Sequence, residues 1–67
     1  MNIEALAARK KIGLTQAGLA KRVGLTPADI IRIERNNWVP PAAIRRNLAA
    51  ALTTTEHALF AEFFEGR

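Results

Sequence analysis

The chain has no cysteine, no serine and no tyrosine, and only one histidine, His57. Without cysteine there is no disulfide framework and no thiolate metal site. Without serine or cysteine there is no Ser-His-Asp or Cys-His nucleophile, and no carboxylate lies near His57 at metal-ligand spacing. No glycine-rich phosphate loop is present either. These absences argue against an enzyme, and no cofactor and no small-molecule ligand is expected. No apolar run approaches the ~20 residues that span a bilayer, and the opening residues do not read as a signal peptide. The expectation is a cytoplasmic or nucleoid-associated chain with no membrane partner. At 67 residues there is room for one domain, spanning 1–67. A domain of this size buries only ~60% of its unfolded surface, which leaves little space for both a core and a catalytic cavity. With 49% hydrophobic and 24% charged residues, the composition is globular.

What is present is basic and unevenly placed. Residues 1–46 carry nine cationic side chains (Arg9, Lys10, Lys11, Lys21, Arg22, Arg32, Arg35, Arg45 and Arg46) against three acids, a local net charge of +6. Residues 47–67 carry Arg67 against Glu56, Glu62 and Glu65, a net of −2. A positive surface confined to one part of a small domain is the footprint of a phosphate-rich partner.

Periodicity predicts five helices and no strand. The first covers about Ile3 to Ile12, with Ile3, Leu6, Ala7 and the stem of Lys10 on one stripe, and ends at Gly13. The second runs from a Thr15 cap to Val23, with Leu19, Ala20 and Val23 inward and Gly24 taking a left-handed exit. Thr26-Pro27 opens the third, which runs to about Arg35 with Ile30 and Ile33 inward. Asp29 stands at capping-box spacing from Thr26, and Asn36 suits the left-handed exit. After a loop at Asn37–Pro40, a fourth helix runs from Pro41 to about Leu52, with Ile44, Leu48, Ala51 and Leu52 inward. Thr53 to Thr55 offers alternative caps for a last helix, about 55–65, bearing Leu59, Phe60, Phe63 and Phe64. An all-α five-helix bundle follows. Within it, Gln16 to Arg35 has helix-turn-helix spacing, a unit that pushes one helix into the DNA major groove.

The segment TQAGLAKRVGLTPADIIRIER resembles the DNA-binding domain of the Cro/repressor (XRE-type) helix-turn-helix family of phages and bacteria. The resemblance extends to Leu48–Leu52 and to Leu59-Phe60, covering roughly Leu6 to Phe60. It implies a lambda-repressor-like bundle that binds double-stranded DNA in a sequence-specific way, usually as a homodimer on a two-fold operator. The implied role is transcriptional regulation, with repression the expected mode. By position, Pro27, Ala28, Ile31 and Arg32 would read bases. Pro27 and Ala28 depart from the family in offering no side-chain donor, so they would pack on thymine methyls and leave Arg32 the main polar reader. Gln16 would hydrogen-bond a phosphate at a helix start, with Arg9, Lys10, Thr26, Arg35, Asn36, Asn37 and Arg45 contacting phosphates around it. The resemblance also implies an Arg9–Glu34 ion pair linking the first helix to the third. Gly18 is a second departure, since glycine inside a helix costs ~1 kcal/mol relative to alanine.

Several residues have a plainer reading beside the functional one. Asp29 is a cap before it is a base reader, and Arg32 has Asp29 and Glu34 as candidate partners on a solvated face. Arg45 and Arg46 serve equally well as solvating residues of the fourth helix. Trp38 in the loop is expected to pack on the core or at the edge of a partner subunit. Phe63 and Phe64 exceed what so small a bundle hides, so a homodimer interface is expected there, with Trp38 beside it. The alternative function is a protein-interaction module, such as an antitoxin or an anti-repressor partner, that keeps the fold but reads DNA poorly. A nonspecific architectural binder is the third option.

Overall fold

Local capping chemistry sets most of the helix boundaries in the structure, a computed structural model that describes residues 1–66. Arg67, counted in the C-terminal charge above, lies outside the described residues. Helix α1 is Ile3–Lys11, started by Asn2, whose side-chain oxygen accepts the Ala5 N–H at 3.0 Å. Helix α2 is Gln16–Val23, capped by the Thr15 hydroxyl on the Gly18 N–H at 2.9 Å and closed by Gly24 at φ +76°. Helix α3 is Pro27–Asn36 and opens with a full capping box. The Thr26 hydroxyl accepts the Asp29 N–H, and the Asp29 carboxylate accepts the Thr26 N–H, both at 3.2 Å. Helix α4 is Ala42–Ala51, preceded by Pro41.

The predicted fifth helix is two pieces, α5 at Glu56–Leu59 and α6 at Ala61–Glu65, so the bundle has six helices and not five among the described residues. Phe60, at φ −128° and ψ 43°, breaks the run while its side chain stays buried in the core. Of the alternative threonine caps, Thr55 is the one used, accepting the Ala58 N–H at 3.0 Å. Thr53 instead takes the left-handed position after α4, at φ +56°. Its N–H and that of Thr54 donate to the carbonyls of Ala50 and Ala49, the paired closure of a Schellman motif.

Helix α2 packs on α3 and α4, α1 packs on α3 and α5, and α4 packs on α5. Leu19, Ala20, Val23, Ile30 and Ile33 are all buried, as their spacing predicts, and they form one cluster with Ala5, Leu48, Ala49, Leu52, Leu59 and Phe60. Burying each large apolar side chain contributes about 1.5–3 kcal/mol. Ala20 lies within this cluster, where the absence of a longer side chain lets α2 approach its neighbours.

Three expectations are corrected by the structure. In α1 the inward residues are Ala5 and Arg9, while Ile3, Ala7 and Lys10 face solvent. Apolar residues lie on more than one side of this helix, and the ion pair described below draws Arg9 inward, which fixes the rotation. The left-handed exit of α3 falls on Asn37, at φ +56°, and not on Asn36, the last helical residue. Gly18 proves to sit in the first turn of α2 with its N–H on the cap, so it is not an interior glycine. No helix among the described residues is long and apolar enough to cross a membrane.

Candidate nucleic-acid interface

Helix α3 has two opposed faces. Ile30, Ile33 and Glu34 are buried, whereas Pro27, Ala28, Ile31 and Arg32 are all exposed. The four candidate base readers therefore share the solvent side of the helix, and none of them serves the core. Ile31 is a large apolar side chain left 38% exposed, suited to contact with a thymine methyl. The capping box fixes where this face begins. It also holds the Asp29 carboxyl below the usual carboxylate range, chiefly through the hydrogen bond from the Thr26 backbone, with the nearby Arg32 guanidinium adding to it. The Thr26 hydroxyl accepts one bond in the cap and keeps its own proton to donate.

Arg32 lies beside Asp29 at 3.5 Å, and its guanidinium carbon sits 4.2 Å from the centre of the Trp38 ring. Half of its side chain is still open to solvent. Trp38 is half-buried and packs against the core cluster, so the residue expected at the edge of a dimer interface is already engaged within its own chain.

Beneath this face, Glu34 is almost wholly buried and accepts three bonds. Arg9 Nε and Nη2 donate to it at 2.6 and 3.2 Å, and Gln16 Nε2 donates at 3.1 Å. Arg9 Nη1 donates to the Leu14 carbonyl at 2.9 Å. The ion pair implied by the family resemblance is thus present, and it removes Arg9 from the phosphate candidates. A guanidinium with 9% exposure and its hydrogen bonds directed inward braces α1 against α3 and does not reach the surface. Gln16 joins this network at the start of α2 and keeps a second amide N–H for an outside acceptor. The complete burial of Glu34 and the participation of Leu14 leave no local sequence signal beyond an acid placed directly after Ile33, at i+4 from Ile30 on the buried side of α3.

Lys10, Arg35, Asn36 and Asn37 are exposed and remain available to phosphate. Arg45 is not. It donates to the Pro40 carbonyl at 3.0 Å and to Glu56 at 3.2 Å, and its guanidinium lies 4.9 Å from the Phe63 ring and 5.4 Å from that of Phe64. The expected phosphate contact is corrected to a tie between the loop before α4, helix α5 and helix α6. Its side chain is only 15% exposed.

A helix-turn-helix family model matches residues 6–54, nearly three quarters of the chain. The chain belongs to the XRE-type helix-turn-helix family. A relative of this helix-turn-helix domain is an uncharacterized HTH-type transcriptional regulator from Methanothermobacter thermautotrophicus, 43% identical over 44 residues. That alignment covers 66% of this chain and 64% of the relative, so the match spans somewhat less than two thirds of the relative's length. No solved structure gives a significant match. The family match stops at Thr54, which leaves the C-terminal aromatic group of this XRE-type domain outside it. Phe63 and Phe64 meet edge to face at 5.2 Å, Phe64 stacks on His57 at 5.7 Å, and His57 Nε2 lies 3.0 Å from Glu65. Even so, Phe63 is 49% and Phe64 40% exposed.

Proposed function

We propose that this domain binds double-stranded DNA in a sequence-specific way as a transcriptional repressor, laying α3 in the major groove of an operator. The observation that carries this reading is the segregation of α3. Its four family reading positions are all exposed on one side, while its other side is welded to α1 and α2 through Ile30, Ile33 and the Glu34 network. Arg32 is the polar reader, matched to guanine O6 and N7, and Pro27, Ala28 and Ile31 lie against thymine methyls. Gln16, Thr26, Lys10, Arg35, Asn36 and Asn37 hold the phosphates on either side. Two copies joined through Phe63 and Phe64 place two α3 helices on half-sites one DNA turn apart.

The test is selection from random-sequence DNA followed by gel shifts at several salt concentrations. The expected product is a two-fold site with a G·C pair in each half. Arg32→Ala then weakens binding to it by about 1–3 kcal/mol and flattens preference at that pair. Selected and scrambled DNA bound alike, with a steep salt slope, would identify an architectural binder. No DNA binding at low salt would identify a protein-interaction module such as an antitoxin.

A further inference from the structure

We propose that Trp38 is a positioning residue for base recognition, a platform that holds the Arg32 guanidinium at the angle from which it reads. The inference rests on the proposed DNA-reading role of Arg32. It starts from the way α3 ends. Asn37 turns left-handed at φ +56°, and the N–H groups of both Asn37 and Trp38 donate to the Arg32 carbonyl, the latter at 3.1 Å. The helix exit thus anchors Trp38 to the backbone of the residue whose side chain it meets. Its indole packs on the core cluster, which makes it a fixed surface, and the Arg32 guanidinium carbon lies 4.2 Å from its ring centre.

An exposed arginine has many rotamers, and a reader that must be ordered on binding loses part of its contact energy to that ordering. Asp29 alone is a weak tether, since its contact is 3.5 Å long and both partners are open to water. The indole supplies the second constraint, through a cation–π contact on one side of the group. Only Nη1 is turned toward Asp29, and Nε and Nη2 have no hydrogen-bond partner among the described residues. A guanidinium held this way keeps donors free for a bidentate contact to a purine edge.

Trp38 is the only tryptophan, so the free protein reports the stack directly. Arg32→Ala is expected to change the Trp38 emission and to raise its quenching by acrylamide in the absence of DNA, with Arg32→Lys falling between. On DNA, Trp38→Leu is expected to lower the ratio of cognate to scrambled binding about two- to fivefold, the range of an exposed cation–π contact, while the salt slope stays as it was. Trp38→Phe, which keeps an aromatic face and folds more readily, loses less of the ratio. In an Arg32→Ala background the Trp38→Leu change has no further effect on the ratio. A merely structural Trp38 behaves differently, because its loss lowers stability and weakens all sequences together with the ratio intact. Emission and quenching unchanged by Arg32→Ala, or a ratio unmoved or raised in Trp38→Leu, overturns the proposal. Wild-type protein that selects no DNA site while Arg32→Ala still alters the emission counts against the DNA reading and leaves the stack standing.

Discussion

Glu34 and Arg9 meet at 2.6 Å with only 2% and 9% of their side chains exposed, 25 residues apart in the chain. The pair joins α1 to the inner side of α3, and Gln16 and the Leu14 carbonyl satisfy the donors and acceptors that remain. Removing one partner from a buried pair strands the other charge, which costs about 3–5 kcal/mol. A domain of this length has roughly 3–10 kcal/mol in all. Glu34→Ala is therefore expected to remove a large share of the total stability, about 3–5 kcal/mol. The paired change Arg9→Met with Glu34→Leu should retain much more of the stability. Urea unfolding of the two variants measures both, and equal losses would show that the charges are not coupled.

Arg45 separates stability from DNA binding. Its ion pair with Glu56, its bond to the Pro40 carbonyl and its place over two phenylalanines make Arg45→Ala a stability variant, expected to lose about 1–2 kcal/mol. The dependence of DNA affinity on salt should not change. Lys10→Ala and Arg35→Ala should do the reverse, each lowering the slope of log K against log salt by about one at nearly constant stability. Parallel denaturant melts and salt titrations decide the matter, and a reduced slope for Arg45→Ala would return it to the phosphate contacts.

Thr53 holds a left-handed conformation, at φ +56°, that a β-branched residue rarely adopts. The position closes α4 and is one where glycine is favoured. Thr53→Gly is expected to stabilise the domain by ~1 kcal/mol, raising Tm by about 4–8 °C for a chain of this size. Calorimetry checks it. A lower Tm would mean that the threonine side chain contributes more than its backbone geometry costs.

Phe63 and Phe64 present an exposed aromatic pair beyond the part of the chain that the family model matches. Replacing both by serine is expected to give a folded monomer that has lost most of its operator affinity. Sedimentation of the native chain should show a concentration-dependent dimer. A native chain that stays monomeric at high micromolar concentration, and is unchanged by the double substitution, would confine the pair to contacts with Arg45 and His57.

Most features decided within one turn of chain were legible in the sequence, the exit of α3 at Asn37 excepted. Thr15, Gly24 and the Thr26–Pro27–Asp29 cap all involve hydrogen bonds over a few residues, and the inner faces of α2 and α3 follow from strong amphipathic spacing. Features that depend on distant partners were not legible from local spacing, and the Arg9–Glu34 pair came only through the family resemblance. The rotation of α1 is set by Glu34, whose position relative to α1 exists only once the bundle forms. Arg45 turns inward because Glu56 and two phenylalanines wait for it on other helices, and a surface count of cations does not register that. The break at Phe60 has the same origin, since the core claims its ring and the apolar run around it reads as one continuous helix. On α3 the exposed face was legible, while the stack of Arg32 on Trp38 was not, because the reversal at Asn37 creates it.

The capping box of α3 uses Thr26 and Asp29 and leaves the exposed positions Pro27, Ala28 and Ile31 outside the core, with Pro27 contributing only its fixed φ at the first helical position. The start of the helix is anchored independently of the residues that face outward from it. Those three positions can be randomised as a cassette, with proline kept or exchanged for another residue that tolerates a first helical turn, and the fold should be indifferent to the outcome. On the proposed DNA-reading role of α3, the domain is an adaptable chassis, in which new target preferences are introduced without rebuilding the protein that carries them.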